Sequence, residues 1–211
     1  RRGSEYSVVA ELDTASEEIL RSSPQKYDPG IMDRYLQLPD TLPSRVSVLA
    51  SNIMSGASNA YDKAVAVETY LRTLKYNEIP TSLPYEADAV DYFLFESRES
   101  YSDYFASAMA MMLRTQGIPT RLVLGFGPGE ADPEKLGFLV RDKDGHSWPE
   151  VFFRDVGWVP FEPTPIYPIR SRGLPSSPFF GDGLLIGLNG DRESDDLLDL
   201  EAAEEPMEAP G

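Results

Sequence analysis

The stretch SYSDYFASAMAMMLR, residues 100–114, decides the fold. Its apolar residues recur every three or four positions, which is the spacing of an α-helix with one buried face. Gly117 and Pro119 follow shortly afterwards and end the helix. The small and apolar residues on its inner side predict a buried central helix: Phe105, Ala108, Met109, Met112 and Leu113.

The period of the apolar residues shortens to about two after this helix, which is the period of a half-buried strand. Four stretches predict strands separated by short turns: residues 121–126, 137–141, 147–153 and 158–161. Consecutive strands with short connections favour an antiparallel sheet, and we expect the helix to pack on one of its faces. The predicted fold class is therefore α+β.

Three further helices are predicted before the central one. Residues 14–17 have capping-box spacing, a second helix begins near 41–44, and a third covers about 60–75. Beyond Pro168 the composition changes to Ser, Pro and Gly and then to acidic residues. We expect an N-terminal helical segment at 1–56, a core at 57–170, and a linker with a largely disordered acidic tail at 171–211.

Charge and composition exclude several classes of protein. The chain of 211 residues is 41% hydrophobic, enough for a real core, and its net charge of −16 argues against binding to nucleic acid or an anionic membrane surface. Half of that charge lies in residues 191–211. No run approaches the ~18 apolar residues of a membrane helix.

No metal or cofactor site is predicted. The absence of cysteine excludes disulfides and thiolate metal sites. Asp142 and Asp144 have a calcium-loop spacing, but Phe153 occupies the position of the required Glu. The glycines at 125, 127 and 129 resemble a dinucleotide fingerprint, but Pro128 interrupts it and no helix follows.

Three residues are the candidates for a catalytic site. Ser100 and Asp103 have capping-box spacing, which places Ser102 in the first turn, at the positive end of the helix dipole. His146, the only histidine, is expected at a strand end facing that terminus. Glu162 ends the next strand, where its carboxylate could fix the tautomer of the imidazole and leave the other nitrogen as a base.

Each candidate also has an ordinary structural explanation. Ser102 could simply help to cap a helix, and Glu162 could be a charge at a strand end. The order of all three residues, together with their flanking motifs, favours a shared site.

Those flanking motifs resemble the bacterial transglutaminase-like superfamily, particularly the extracytoplasmic domain of its membrane-anchored members. The family pattern Gly-Tyr-Cys-acid-Tyr-Phe-Ala-Ser-Ala is similar to SYSDYFASA. Asp-Ala-His-Ala-Trp-x-Glu-Val is similar to DGHSWPEV, and Gly-Trp-x-x-Phe-acid-Pro-Thr is similar to GWVPFEPT. The resemblance covers roughly residues 30–165.

The resemblance implies a papain-like transglutaminase core with a Cys-His-Asp triad. Such a triad forms a thioacyl intermediate from a glutamine side chain or a peptide bond, which an amine or water then resolves. By position, Ser102 stands where the nucleophilic Cys belongs, His146 is the base and Glu162 is the orienting acid. The implied partner is a protein or peptide substrate, and the implied location is the outer face of a bacterial membrane, with attachment through segments outside this chain.

Three positions depart from the family pattern. Glu162 keeps the charge of Asp on a longer arm. Pro149 removes one N–H from its strand, which predicts an edge strand or a local bulge. Ser102 is the serious departure, because a hydroxyl resists deprotonation far more than a thiol.

The serine has two explanations. Either it is an introduced replacement of the cysteine, or the chain has naturally lost its nucleophile. Ser100 also replaces the family glycine, which favours natural divergence. The leading function is acyl transfer or hydrolysis at amides, with a site that Ser102 could silence. The alternatives are a non-catalytic peptide-binding module and, less favoured, a Ser-His-Glu hydrolase.

Overall fold

The structure is a computed structural model that describes residues 15–132 and 137–173. The predicted linker and acidic tail at 171–211 therefore lie outside the described residues, except for residues 171–173. Thr14 also lies outside them. The division into segments at 56 and 170 stays a prediction.

The described residues form helices in the first half of the chain and mainly strands in the second. The helices are α1 Glu17–Ser22, α2 Pro29–Tyr35, α3 Ser44–Met54, α4 Ala60–Leu71, α5 Ala89–Tyr92, a π-helical turn Phe93–Ser97, α6 Ser102–Thr115 and a 3₁₀ turn Asp142–Asp144. The strands are β1 Lys75–Tyr76, β2 Glu99–Ser100, β3 Thr120–Phe126, β4 Glu130–Asp132, β5 Gly137–Leu139, β6 Gly145–Phe153 and β7 Gly157–Pro160.

The central helix is where the sequence predicts it, but its cap differs. The N-cap of α6 is Tyr101, which makes no side-chain capping bond, and Ser102 is the first helical residue. Ser100 lies instead in β2, where its carbonyl accepts a hydrogen bond from the N–H of Asn77. The predicted capping box at Ser100 is therefore wrong, because that residue is already part of an extended strand.

The predicted antiparallel sheet is present with three strands in the order β3–β6–β7. Residues 137–139 do not join it, because they pair with β4 in a separate two-stranded sheet. Gly129, between β3 and β5, has a φ of +70°, and a Cβ there would lie 2.6 Å from the carbonyl oxygen of Leu139. This glycine allows the close turn that takes the chain out of the main sheet.

Pro149 does not mark an edge strand or a bulge. Its strand β6 is central, and its pairing with β3 is continuous from Gly145 to Val151. The ladder with β7 begins only at Glu150, and the N–H of Phe161 donates to the carbonyl of Pro149 over 3.0 Å. The N–H that proline lacks would point to that same side, where β7 has already ended.

Helix α6 is covered on two sides. Helices α3 and α4 pack against it from one side, and β6 with part of β3 packs from the other. Its inner residues are fully buried, including Phe105, Met109, Met112 and Leu113. The α+β layout, with a buried helix packed on an antiparallel sheet, is confirmed.

Two short strands bring distant segments to the start of α6. Strand β1 pairs in parallel with β2, so that Tyr76 lies opposite Ser100. The sequence predicts a helix through residue 75, but α4 ends at Leu71 and Lys75 is already extended. Two-residue strands have too few positions to show a period, so their pairing could not be predicted.

Candidate active site

Ser102 occupies the first position of a 14-residue helix and is 7% exposed. The first N–H groups of an α-helix have no acceptor within the helix, and together with the dipole they favour negative charge. The N–H of Tyr104 bonds to the carbonyl of Tyr101, which leaves the N–H groups of Ser102 and Asp103 without an intrahelical partner. This terminus suits a nucleophile and an oxyanion.

His146 and Glu162 are in direct contact. Nε2 of His146 lies 2.8 Å from Oε2 of Glu162, and the two residues are 5% and 2% exposed. A carboxylate at Nε2 holds the proton of a neutral imidazole on that nitrogen and leaves the lone pair on Nδ1. Nδ1 is buried and has no hydrogen-bond partner among the described residues. The imidazole therefore has one anchored nitrogen and one available nitrogen.

The residues next to His146 and Ser102 connect the two. The hydroxyl of Ser147 donates to the carboxylate of Asp103, so the start of β6 lies against the first turn of α6. Within the described part of the chain Nδ1 has no partner, so it is not bonded to the Ser102 hydroxyl. The structure brings the three predicted residues to one end of α6, and it joins two of them by a hydrogen bond.

Glu162 is held on both its side chain and its main chain. Its Oε1 accepts from the N–H of Thr164 over 3.1 Å, and its own N–H donates to Oε1 of Glu68 over 2.6 Å. Glu68 lies on α4 and is buried. Burial raises the pKa of the Glu68 carboxyl, although the hydrogen bond from the Glu162 N–H acts in the opposite direction.

Tyr167 covers the imidazole. Its ring lies 3.8 Å from that of His146 between centroids, with 24° between the planes. Trp148 is also roughly parallel to His146, at 5.8 Å. Burial raises the pKa of the Tyr167 phenol. The ring limits access of water to His146 from that side.

Sequence reasoning missed Glu68, Arg72 and Tyr167. Arg72 follows α4 and donates to the main-chain carbonyls of residues 162, 164, 165 and 167. A charged pair four residues apart at the end of an apolar helix, Glu68 and Arg72, was a weak signal for this role. The stretch PTPIY at 163–167 was a signal for a non-regular segment with an aromatic residue.

Residues 15–132 and 137–173 contain no group of three or more His, Cys, Asp or Glu side chains that could hold a metal ion. Among the described helices, none is both long and apolar enough to cross a bilayer.

Comparison with known proteins gives a family match. The family model described as the transglutaminase-like superfamily matches residues 47–163, more than half of the chain. That span contains all three predicted site residues.

Individual relatives agree with the family match. The chain is 41% identical over 165 residues to the uncharacterized protein YebA of Bacillus subtilis, covering 75% of this chain and 22% of that protein. It is 31% identical over 179 residues to a protein-glutamine gamma-glutamyltransferase of Pseudomonas aeruginosa, covering 70% of this chain and 26% of that protein. The chain thus spans about a quarter of the length of the curated relatives.

A solved structure carries the same fold. The ethylmercury-bound periplasmic domain of TgpA from Pseudomonas aeruginosa superposes with a TM-score of 0.59 at 32% identity. The match covers 68% of this chain and 51% of that one. The expected papain-like transglutaminase fold is therefore confirmed.

Proposed function

The chain belongs to the transglutaminase-like superfamily, and from that premise we propose that it is built for acyl transfer or hydrolysis at glutamine side chains or peptide amides. The observation that carries the proposal is the buried contact between His146 and Glu162, which leaves Nδ1 available at the end of the sheet next to α6. In this proposal Ser102 is the nucleophile position, His146 the base and Glu162 the orienting acid.

The chemistry follows from these positions when a thiol stands at residue 102. A thiolate there attacks the amide carbon, and the two free N–H groups of the first helical turn stabilise the oxyanion. The imidazolium donates its Nδ1 proton to the departing ammonia or amine as the C–N bond breaks and the thioester forms. His146 then takes a proton from an incoming amine or water, which attacks the thioester and releases the thiolate, so that the thiolate–imidazolium pair is restored.

Ser102 prevents the first step of this reaction. A thiolate–imidazolium pair exists before substrate arrives, whereas a serine hydroxyl must lose its proton during attack, to a base hydrogen-bonded to it at that moment. Nδ1 of His146 has no such bond to Ser102. The chain with Ser102 is therefore expected to bind an acyl donor without turning it over. The same observation favours a peptide-binding module as the second candidate function and disfavours a serine hydrolase.

An exposed apolar stripe supports a peptide as the substrate. Among the described strands, β3 lies at the edge of its sheet, and its exposed side chains alternate along one face: Leu122, Leu124 and Phe126. Leu124 is 78% exposed and lies directly opposite Ser147, whose hydroxyl bonds to Asp103 in the first turn of α6. Opposed residues share a face with about 5 Å between their Cβ atoms. We infer that an extended segment of a protein substrate lies along this stripe, next to the site.

We propose an extracytoplasmic position for this chain, with membrane attachment through segments outside it. The support is one similar structure, which is a periplasmic domain.

The test is a gain of function. Ser102→Cys should incorporate a fluorescent primary amine into casein, or release ammonia from it, at least about a thousandfold faster than the parent, because a triad without its nucleophile loses most of its rate. Ser102→Cys combined with His146→Ala is the matched control and should return to the parent rate.

Three results would decide between the candidates. Activity in Ser102→Cys that requires His146 supports acyl transfer. Casein binding without turnover in either form supports the binding module instead. Labelling of the parent by a fluorophosphonate, lost in His146→Ala, would overturn both and establish a serine hydrolase.

A further inference from the structure

We propose that Arg72 is a positioning residue of this site, which holds residues 162–167 so that Glu162 orients the imidazole and Tyr167 covers it. The inference rests on the proposed function only in treating His146 as the base. It concerns a residue outside the predicted triad and at the far end of a different helix.

The guanidinium of Arg72 makes four hydrogen bonds to one segment of main chain. Nη1 donates to the carbonyls of Glu162 and Thr164 over 2.7 and 2.9 Å. Nη2 donates to those of Pro165 and Tyr167 over 3.3 and 2.9 Å. The first and last of these carbonyls belong to Glu162 and Tyr167, which both contact the imidazole of His146.

This segment needs such a partner because it pairs with none of the described strands. Residues 162–167 follow β7 and contain no regular secondary structure. Pro163 and Pro165 also lack the N–H groups that could bond elsewhere. Buried carbonyls without a ladder must find another donor, and the planar fork of an arginine can serve several at once.

Glu68 fixes the same segment from the same helix, one turn before Arg72. It accepts the N–H of Glu162 over 2.6 Å, while Arg72 takes the carbonyl of that residue. Both polar groups of the Glu162 peptide backbone are thereby tied to the end of α4. The orientation of the Glu162 carboxylate, and through it the tautomer of His146, follows from where α4 ends.

The chain offers a direct probe, since His146 is its only histidine. The imidazole resonance in a proton NMR spectrum therefore belongs to one residue. The nitrogen-15 shifts of Nδ1 and Nε2 report the tautomer that the Glu162 carboxylate holds, and the proton shift reports the stacked ring of Tyr167. Both can be measured in the parent with Ser102, without any enzyme activity.

The variants are Arg72→Lys and a matched control, Arg114→Lys. Arg114 is also partly buried and also binds main-chain carbonyls, those of Thr120 and Gln37. It lies on the last turn of α6, about 18 Å along the helix from Ser102 at 1.5 Å per residue. Glu162→Gln gives the imidazole nitrogen shifts expected when the carboxylate charge is absent.

We expect Arg72→Lys to shift the imidazole proton resonance away from its stacked position, because Tyr167 no longer lies over the ring. The same substitution should move the nitrogen-15 shifts of Nδ1 and Nε2 towards each other, as in Glu162→Gln, because the carboxylate no longer holds the proton on Nε2. Arg114→Lys should lower thermal stability by a similar amount but leave the imidazole resonances unchanged. A purely structural role for Arg72 predicts equal behaviour of the two variants.

Two outcomes overturn the proposal. One is a folded Arg72→Lys protein whose imidazole proton and nitrogen resonances are those of the parent, or no different from those of Arg114→Lys. The other applies even if Arg72→Lys does not fold, because it needs no variant. If the amide protons of Glu162 and Thr164 in the parent exchange as fast as those of an open loop, the segment is not held.

The NMR result is independent of turnover. If Ser102→Cys is inactive, the proposed function fails, but the NMR comparison of Arg72→Lys with Arg114→Lys still decides whether Arg72 orders His146. If Ser102→Cys is active, adding Arg72→Lys should lower kcat more than it raises KM, because the affected groups act on the reacting atoms.

Discussion

Replacement of Ser102 by cysteine should create a thiol that is ionised well below neutral pH. The chain has no other cysteine, so every alkylation event in Ser102→Cys reports this position. The residue is the first of α6 and lies at the end of the helix that faces β6, the strand of His146. Both the helix terminus and an imidazolium stabilise a thiolate.

The size of the pKa change can be worked out from these neighbours. A helix N-terminus contributes about 0.3–1 kcal/mol, which is about 0.2–0.7 pKa units. A cationic partner contributes about 1–3 units, while burial of a residue only 7% exposed acts in the opposite direction. From the free value of about 8.5, the expected thiol pKa is therefore about 5–7.

The rate of alkylation at neutral pH is a poor test. For a pKa of about 6.5 the thiolate fraction at about pH 7 rises roughly 25-fold, but the lower basicity reduces nucleophilicity about 6- to 10-fold. The net gain is then only about threefold. At about pH 5 the thiolate fraction rises about 100-fold, so alkylation by iodoacetamide should be about 10- to 15-fold faster than for a free thiol.

The assay is the rate of alkylation as a function of pH, followed by mass spectrometry. Ser107→Cys is the control, because it places a thiol in the middle of the same helix, away from the terminus. Ser102→Cys with Glu162→Gln tests whether the carboxylate supports the imidazolium. A Ser102→Cys thiol with the same midpoint as Ser107→Cys would refute the reasoning, since neither the helix terminus nor His146 would then act on residue 102.

Two further predictions concern the surroundings of the site. Because burial raises the pKa of Glu68, the folded state holds that proton more tightly than the unfolded state, and stability falls as pH rises from the ordinary carboxyl value through the raised one. Glu68→Gln keeps an acceptor for the Glu162 N–H but does not titrate. In urea unfolding, the free energy of unfolding of the parent should therefore fall relative to that of Glu68→Gln as pH rises through that window. A difference between the two proteins that does not change with pH would contradict this. In the Ser102→Cys background, Leu124→Asp should raise KM for casein about tenfold with little change in kcat, since burial of a leucine contributes about 1.5–3 kcal/mol. The exposed Val48→Asp on α3 is its control, and equal effects of the two substitutions would exclude a substrate stripe on β3.

The sequence predicts those parts of the molecule in which apolar residues recur at a regular spacing or a recognisable motif is present. The long apolar face of α6 and the alternation along β3 and β6 indicate the helix, the sheet and their packing. The motifs around Ser102, His146 and Glu162 identify the residues that the fold brings together. These signals are local, and each needs only a few neighbouring residues to be recognised.

The supporting contacts are not predictable in this way. Arg72 meets its carbonyl partners across at least 90 positions of sequence, and Glu68 meets the N–H of Glu162 across 94. Their partners are main-chain atoms, which are the same in every residue and leave no mark in the sequence. Tyr167 could be noticed as an aromatic residue, but its stacking on His146 depends on a segment without regular structure.

The buried polar groups help to decide whether the site around Ser102 is built for catalysis or only for binding. Taking His146, Glu162 and Glu68 out of water opposes folding, and apolar residues of similar size in such places are often no less stable. A cleft that only binds a peptide needs shape and a few hydrogen bonds, but it has no use for an imidazole with one nitrogen anchored and the other available. Such an arrangement serves proton transfer. These buried groups support the proposal that the site around position 102 is built for acyl transfer, in which an oxygen stands where the proposed reaction needs sulfur.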